Sequence, residues 1–305
     1  MKKVWGSAAM IIATILWGMA FSAQSRGMDY IDPLLFTSLR SLSGVAALII
    51  VIMVLDLFRY RRLSVWGDAG TRDEKKELLR GGWWCGIVLA IASSAQQYGL
   101  KFELSAGKTG FLTALYIVIV PVLGIFFRRK TPLLLWCAVA VGIAGAYILC
   151  GGVDNIGKGE WCVILCAVIY SIHILVIDHY VANCDCVRLS CLQFIIASLV
   201  TGFTSLAIGE SWQSDSIMAS LPMWVYCGVG SSAVAFTPQM VSQKYLHPVT
   251  ATLLMSLESV FAVLGGWLFL NEKLARHEQV GCIVIFIAVI LAQLPVQKKG
   301  NGKHE

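Results

Sequence analysis

Residues 34–57 read LLFTSLRSLSGVAALIIVIMVLDL, an almost unbroken apolar run that carries one arginine, Arg40, and one late aspartate, Asp56. A helix rises about 1.5 Å per residue and the hydrocarbon core of a bilayer is about 30 Å thick, so a run of this length spells a membrane-spanning helix. The same pattern recurs on both sides of it. Val4–Gln24 precedes it, and Gly82–Leu100, Thr109–Phe127, Leu133–Gly151, Glu160–Ile177, Leu189–Ile208, Met223–Ser242, Val249–Leu270 and Gln279–Leu294 follow. The expected fold is therefore an all-α polytopic membrane protein of about ten transmembrane helices.

Composition agrees. The 305 residues are 57% hydrophobic and 14% charged, with a mean hydropathy of +0.74. Soluble domains average roughly 45–50% apolar and about 25% charged. A soluble helical protein with long buried helices is the alternative, and buried helices rarely follow one another at bilayer length. Lys2 and Lys3 before an apolar run imitate a signal peptide, but the run is long and holds Trp17, so an uncleaved first helix is expected.

Basic residues in short loops set the orientation. Arg59, Arg61, Arg62, Arg72, Lys75, Lys76, Arg80, Arg128, Arg129, Lys130, Arg188 and Lys244 fall on the side of Lys2 and Lys3, with Lys298, Lys299 and Lys303. Only Arg26, Lys101, Lys108, Lys158, Lys273 and Arg276 fall on the other. This bias predicts cytoplasmic termini in a bacterial-type inner membrane. The net charge of +6 is thus an orientation signal, and the scattered basic residues do not form a nucleic-acid-binding module. The longest loop, Phe58 to Gly81, mixes both signs (Arg72, Asp73, Glu74, Lys75, Lys76, Glu77) and reads as a solvated linker with a short helix rather than a lipid-binding segment.

The ten cysteines lie mostly inside spans, where thiols act as small apolar fillers. No disulfide framework is expected. Cys162, Cys166 and His173 share a loose spacing that could hold a soft metal, a weak signal, so no metal and no cofactor are expected.

The chain also repeats itself. Trp17 aligns with Tyr170, Asp32 with Asp185 and Arg40 with Gln193 at one common offset. Further on, Ser93-Ser94-Ala95 aligns with Ser231-Ser232-Ala233. Five spans per half is an odd number, so the second half would enter the membrane upside down. Inverted repeats of this kind are a recurrent plan of secondary transporters, with the site at the midplane between the halves.

Several motifs point the same way. They are Leu16-Trp17-Gly18 with Phe21, Asp32-Pro33 leading to Phe36 and Arg40, and Gly99-Leu100-Lys101 running through Ser105-Ala106-Gly107-Lys108-Thr109-Gly110-Phe111 to Val120-Pro121. A last one, Leu268-Phe269-Leu270-Asn271-Glu272-Lys273-Leu274, precedes Gln279-Val280-Gly281. In this order the chain resembles the EamA-like transporters of the drug/metabolite transporter superfamily. The resemblance implies two inverted five-helix repeats, 1–151 and 152–305, cytoplasmic termini, and movement of amino acids, other metabolites or drugs. The long charged loop after the second span departs from the pattern.

Polar residues at membrane depth are costly and therefore tend to face a cavity or a partner. Glu258, near the middle of the ninth span, has no neutralising residue on its own helix and is the candidate for proton coupling or ion contact. Arg40 could bind a substrate carboxylate bidentately. It could also snorkel outward or pair with Asp32, and that structural reading is the preferred one. His173 shares a helix face with Tyr170, and a packed histidine is the common alternative to a binding role. Gln96, Gln97 and Tyr98 form a polar patch in the third span, with Gln239 as counterpart in the eighth. Some of these amides would instead join helices to one another. Trp17, Tyr98, Tyr116 and Tyr170 would supply aromatic walls. Pro121 and Pro238 lie inside spans four and eight, where a proline frees a carbonyl and interrupts the helix.

The sequence thus reads as a secondary transporter of small polar metabolites, amino acids first, that exports or exchanges them by alternating access. Its partners would be the small-molecule substrate, membrane lipid and optionally protons, with the protein as monomer or homodimer. Multidrug efflux is the alternative. An intramembrane enzyme is more remote, because Ser171 and His173 are two residues apart and point to different faces. Neither a channel filter nor a soluble receptor domain is recognisable.

Overall fold

The computed structural model describes residues 2–61, 63–67, 69–102, 104–126, 133–152, 157–246, 248–273 and 275–293. All regular structure among them is helical. In chain order the helices are α1 (Lys2–Gly27), α2 (Pro33–Tyr60), α3 (Arg72–Lys101), α4 (Ala106–Thr113), α5 (Tyr116–Phe126), α6 (Leu133–Cys150), α7 (Lys158–Tyr180), α8 (Cys186–Ile208), α9 (Ser214–Ala219) and α10 (Leu221–Tyr226). A π-helical stretch, Cys227–Ala235, leads into α11 (Phe236–Gln243), and α12 (Pro248–Met255), α13 (Leu257–Leu270) and α14 (Arg276–Gln293) complete the bundle. Among the described residues six helices are long and apolar enough to cross a membrane. Of the ten expected spans, the fourth and eighth fall outside that set as shorter helical pieces, and the fifth and tenth qualify only as shorter apolar helices.

Local chemistry explains the boundaries. Pro33 opens α2, where its missing N–H costs nothing. Thr71 and Glu74 form a reciprocal capping box, Thr71 Oγ1 accepting from the Glu74 amide at 3.2 Å and Glu74 Oε2 from the Thr71 amide at 2.9 Å. That box starts α3 at Arg72, ten residues before the expected span, so much of the expected linker is the first part of a membrane helix. Asp185 caps α8 by accepting from the Val187 and Arg188 amides at 2.9 and 3.0 Å. Gly209, at φ 78°, ends that helix in the left-handed conformation.

Packing pairs α1 with α13, α2 with α8, α3 with both α7 and α8, and α6 with α14. At one end of the bundle Lys101 meets Asp32 at 3.5 Å and Lys108 meets Glu160 at 2.6 Å. At the opposite end Arg188 meets Asp56, and Asn183 bonds Glu77 at 3.1 Å. The two ends are called the Asp32 end and the Asp56 end below. The main apolar core runs through the middle and includes Met10, Trp17, Tyr116, Ile174, Phe194, Phe236 and Leu254. Many lipid-length helices also expose large apolar side chains, such as Ile50, Phe203 and Trp267, as a bilayer surface requires.

Candidate functional site: a buried cavity lined by Arg40 and Glu258

Three residues of α1, Trp17, Phe21 and Gln24, recur at helical spacing and so present one face inward. That face lines a cavity of about 40 Å³ in the middle of the bundle. The remaining wall comes from Arg40 of α2, Gln96 of α3, Thr113 and Tyr116 around the break in the fourth span, and Tyr170 and His173 of α7. Ser231, Phe236, Gln239, Met255 and Glu258 close it from the second half of the chain. A volume of this size holds a few water molecules, since one needs roughly 10–15 Å³ on the same measure.

The charged side chains of this wall are Arg40, 3% exposed, and Glu258, 5% exposed. Each is held by a neutral partner. Arg40 donates from an Nη to Gln24 Oε1 at 2.8 Å, and Glu258 Oε1 accepts from the Tyr116 hydroxyl at 3.0 Å. Arg40 therefore neither snorkels outward nor pairs with Asp32, which is engaged by Lys101 instead. The cause is Gln24, one helix away, which offers an acceptor inside the bundle. Glu258 lies two residues after a local irregularity at Ser256, whose backbone stays right-handed helical and whose amide still bonds the Thr252 carbonyl at 2.9 Å.

Hydrogen bonds and rings fix the rest. Gln96 donates to Thr113 Oγ1 at 3.1 Å, and Trp17 Nε1 donates to the Ser231 carbonyl of the π-helical stretch at 3.0 Å. Phe236 stacks edge-on against Trp17, with ring centroids 5.0 Å apart, and His173 lies 6.2 Å from Phe236 and from Tyr170. His173 Nε2 is 3.1 Å from Gln193 Oε1. No group of three or more His, Cys, Asp or Glu placed to hold a metal occurs among the described residues. Arg40 Nε, His173 Nδ1 and Gln239 Oε1 are buried without a hydrogen-bond partner. Buried polar atoms are nearly always bonded, so these three leave the cavity wall with hydrogen-bonding capacity that the protein itself does not use.

Trp17, Gln96, Tyr116, Tyr170, His173, Gln239, Arg40 and Glu258 thus meet in one cavity. Gln97 does not reach it and donates to the Gln24 carbonyl at 3.3 Å. Tyr98 stands at the Asp32 end, beside Glu210 and 6.4 Å from Phe102. Pro121 is buried inside a continuous α5, and the break lies earlier, at Ala114 and Leu115. Pro238 follows the π-helical stretch by three residues. Gln24, Thr113, Phe21, Ser231, Phe236 and Met255 also line the cavity, and the sequence reading assigned none of them to a site. The helical spacing of Trp17, Phe21 and Gln24 was the signal that could have found two of them.

Comparison with known proteins supports this architecture. The profile of the EamA-like transporter family matches residues 4–151 and again residues 157–294. An "uncharacterized transporter" of Archaeoglobus fulgidus is 23% identical over 97% of this chain and 88% of its own length. YoaV of Bacillus subtilis, also described as an uncharacterized transporter, is 22% identical over 92% of this chain and 94% of its own. The inner membrane transporter YedA of Escherichia coli is 23% identical over 94% and 90%. A crystal structure of a protein with 16% identity superposes with a TM-score of 0.71 over 94% of this chain and 96% of that one, so the two share a fold. With two family matches that together span nearly all of a polytopic helical bundle, the chain belongs to the EamA-like transporter family.

Proposed function

We propose that this protein is a secondary carrier for small zwitterionic metabolites, amino acids foremost, which it exports or exchanges across the cell membrane by alternating access. The observation that carries the reading is the pairing of Arg40 and Glu258 in one buried cavity, each bonded to a neutral residue. An amino acid brings the complementary charges, a carboxylate for the Arg40 guanidinium and an ammonium for Glu258. The small cavity and its amide and hydroxyl lining favour a compact polar solute. The aromatic rings of Trp17, Tyr170 and Phe236 favour multidrug efflux as the second reading.

Two inverted halves of five helices each, 1–151 and 152–305, fit this mechanism. The double family match supports that division, as does the antiparallel course of α2 and α8. The parallel irregularities between α4 and α5 and between α12 and α13 support it too. Basic residues concentrated at the Asp56 end support a cytoplasmic location for that end and for both termini. Glu258 is the coupling carboxylate in this scheme.

Counterflow tests it. Proteoliposomes preloaded with mixed amino acids, nucleosides, sugars and lipophilic cations are scored by mass spectrometry for selective loss. Loss of one or more amino acids is expected, reduced at least tenfold by Arg40→Gln, with Glu258→Gln flattening the pH profile. Loss of lipophilic cations alone would replace the amino-acid reading with efflux. An unchanged pH profile in Glu258→Gln would remove the coupling role.

A further inference from the structure

The contact between α2 and α8 is fastened at three levels. At the Asp32 end, Glu210 lies just past α8 and reaches the start of α2. Its two carboxylate oxygens accept from the Leu34 and Leu35 amides at 3.1 and 2.8 Å. These are first-turn N–H groups that α2 cannot satisfy itself, and Asp32, its own N-cap residue, makes no capping bond to them. Asp32 instead accepts from the Ser211 amide at 3.4 Å. In the middle, Ser38 Oγ donates to the Ser198 carbonyl at 3.0 Å while Ser198 Oγ donates to the Ser38 carbonyl at 3.1 Å. At the Asp56 end, Arg188 donates to Asp56 Oδ1 at 2.5 Å and to Asp185 Oδ2 at 3.0 Å. It also bonds the Ser64 and Val65 carbonyls, which ties down the chain between α2 and α3. The Arg188 and Asp56 side chains are 6% and 2% exposed, so parting them would strand two charges out of water.

The contact between α1 and α13 is built on other terms. A Cβ at Gly18 would stand 2.7 Å from the Glu258 carbonyl oxygen and 2.8 Å from the Ala262 amide, so backbone approaches backbone. Gly110 of α4 packs on α13 beside it, where a Cβ would stand 2.7 Å from the Ala262 side chain. Small apolar surfaces of this kind part or slide without stranding a charge. The irregularity between α12 and α13 lies here as well, two residues before Glu258.

We infer that the α2–α8 contact is the pivot of the transport cycle: it stays closed in every state, while the α1–α13 side opens and closes around the cavity. This rests on the carrier reading above.

Disulfide locking tests the pivot. Ser38→Cys with Ser198→Cys places two thiols where the hydroxyls are 3.3 Å apart. Ser22→Cys with Gly265→Cys does the same across α1 and α13, where a Cβ at 265 would be 2.9 Å from Ser22 Oγ. Each crosslink is mapped by peptide mass spectrometry, and the reduced sample is its own control for folding. Oxidation of the first pair should leave transport within about twofold of the reduced protein. Oxidation of the second should lower it at least tenfold. If the first crosslink stops transport that the reduced protein performs, the pivot is overturned. If the wild-type protein moves no solute, the carrier reading fails by itself. The contact is then judged by spin labels at the exposed Leu42 and Leu199, where one narrow distance at pH 5 and pH 8 supports a fixed seam and a split or shifted distribution overturns it.

Discussion

The two seams join their helices by opposite means. Between α2 and α8 the adhesion is directional: a carboxylate on a helix start, a reciprocal serine pair, a buried ion pair. Between α1 and α13 it is steric, with Gly18 letting one backbone settle against another. In lipid, apolar side chains gain little by turning inward, so helix association depends on close packing and interhelical hydrogen bonds. This molecule uses each device in a different place. Directional bonds hold one register, whereas packed glycines tolerate more than one.

The contrast can be broken from either side. The largest effect is expected at the buried pair. Arg188→Met leaves Asp56 unpaired and should cost about 2–3 kcal/mol in thermal unfolding in detergent, with Arg188→Met plus Asp56→Leu recovering most of it. A double variant no better than the single would show that the pair does not act as a unit. Next comes Gly18→Ala, an overpacking of about 1–3 kcal/mol that should also slow transport. Wild-type stability and rate in that variant would mean that α1 and α13 are not in close approach. Glu210→Gln removes the charge from the α2 start and should cost about 1 kcal/mol, partly masked by high salt. The smallest effect belongs to the serines. Ser38→Ala and Ser198→Ala should each cost about 0.6 kcal/mol, and the double variant about the sum, because each removes its own donor to the opposite carbonyl.

How much of this was legible in the sequence depended on the range of the cause. Apolar length is local, and it marked where the helices lie, six of them long and apolar enough among the described residues to cross a membrane. The start of α3 is also local, through Thr71 and Glu74, but charge in that stretch hid it behind the look of a linker. The irregularities at 114–115 and 256 were not legible, because Ala114, Leu115 and Ser256 carry no breaker signature and Pro121 drew the eye instead. Glu258, Tyr170 and Trp17 stood out because polar or aromatic residues at membrane depth are conspicuous in any context. Arg40 was misjudged, since its position near a span end suggests the interface and only Gln24 on another helix turns it inward. The partner of Glu258, Tyr116, is 142 positions away, a pairing that no local pattern encodes.

The carboxylate that completes the start of α2 lies 175 residues downstream of Leu35. At about 5–20 residues per second, the ribosome needs roughly 10–35 s to deliver it. Throughout that interval the second helix exists without its cap, its first amides served by water or lipid headgroups. The earliest part of the protein is therefore finished by one of the later parts. Chains truncated before residue 210 should insert α2 yet hold it in a looser, protease-sensitive register, and a separately supplied second half should restore protection.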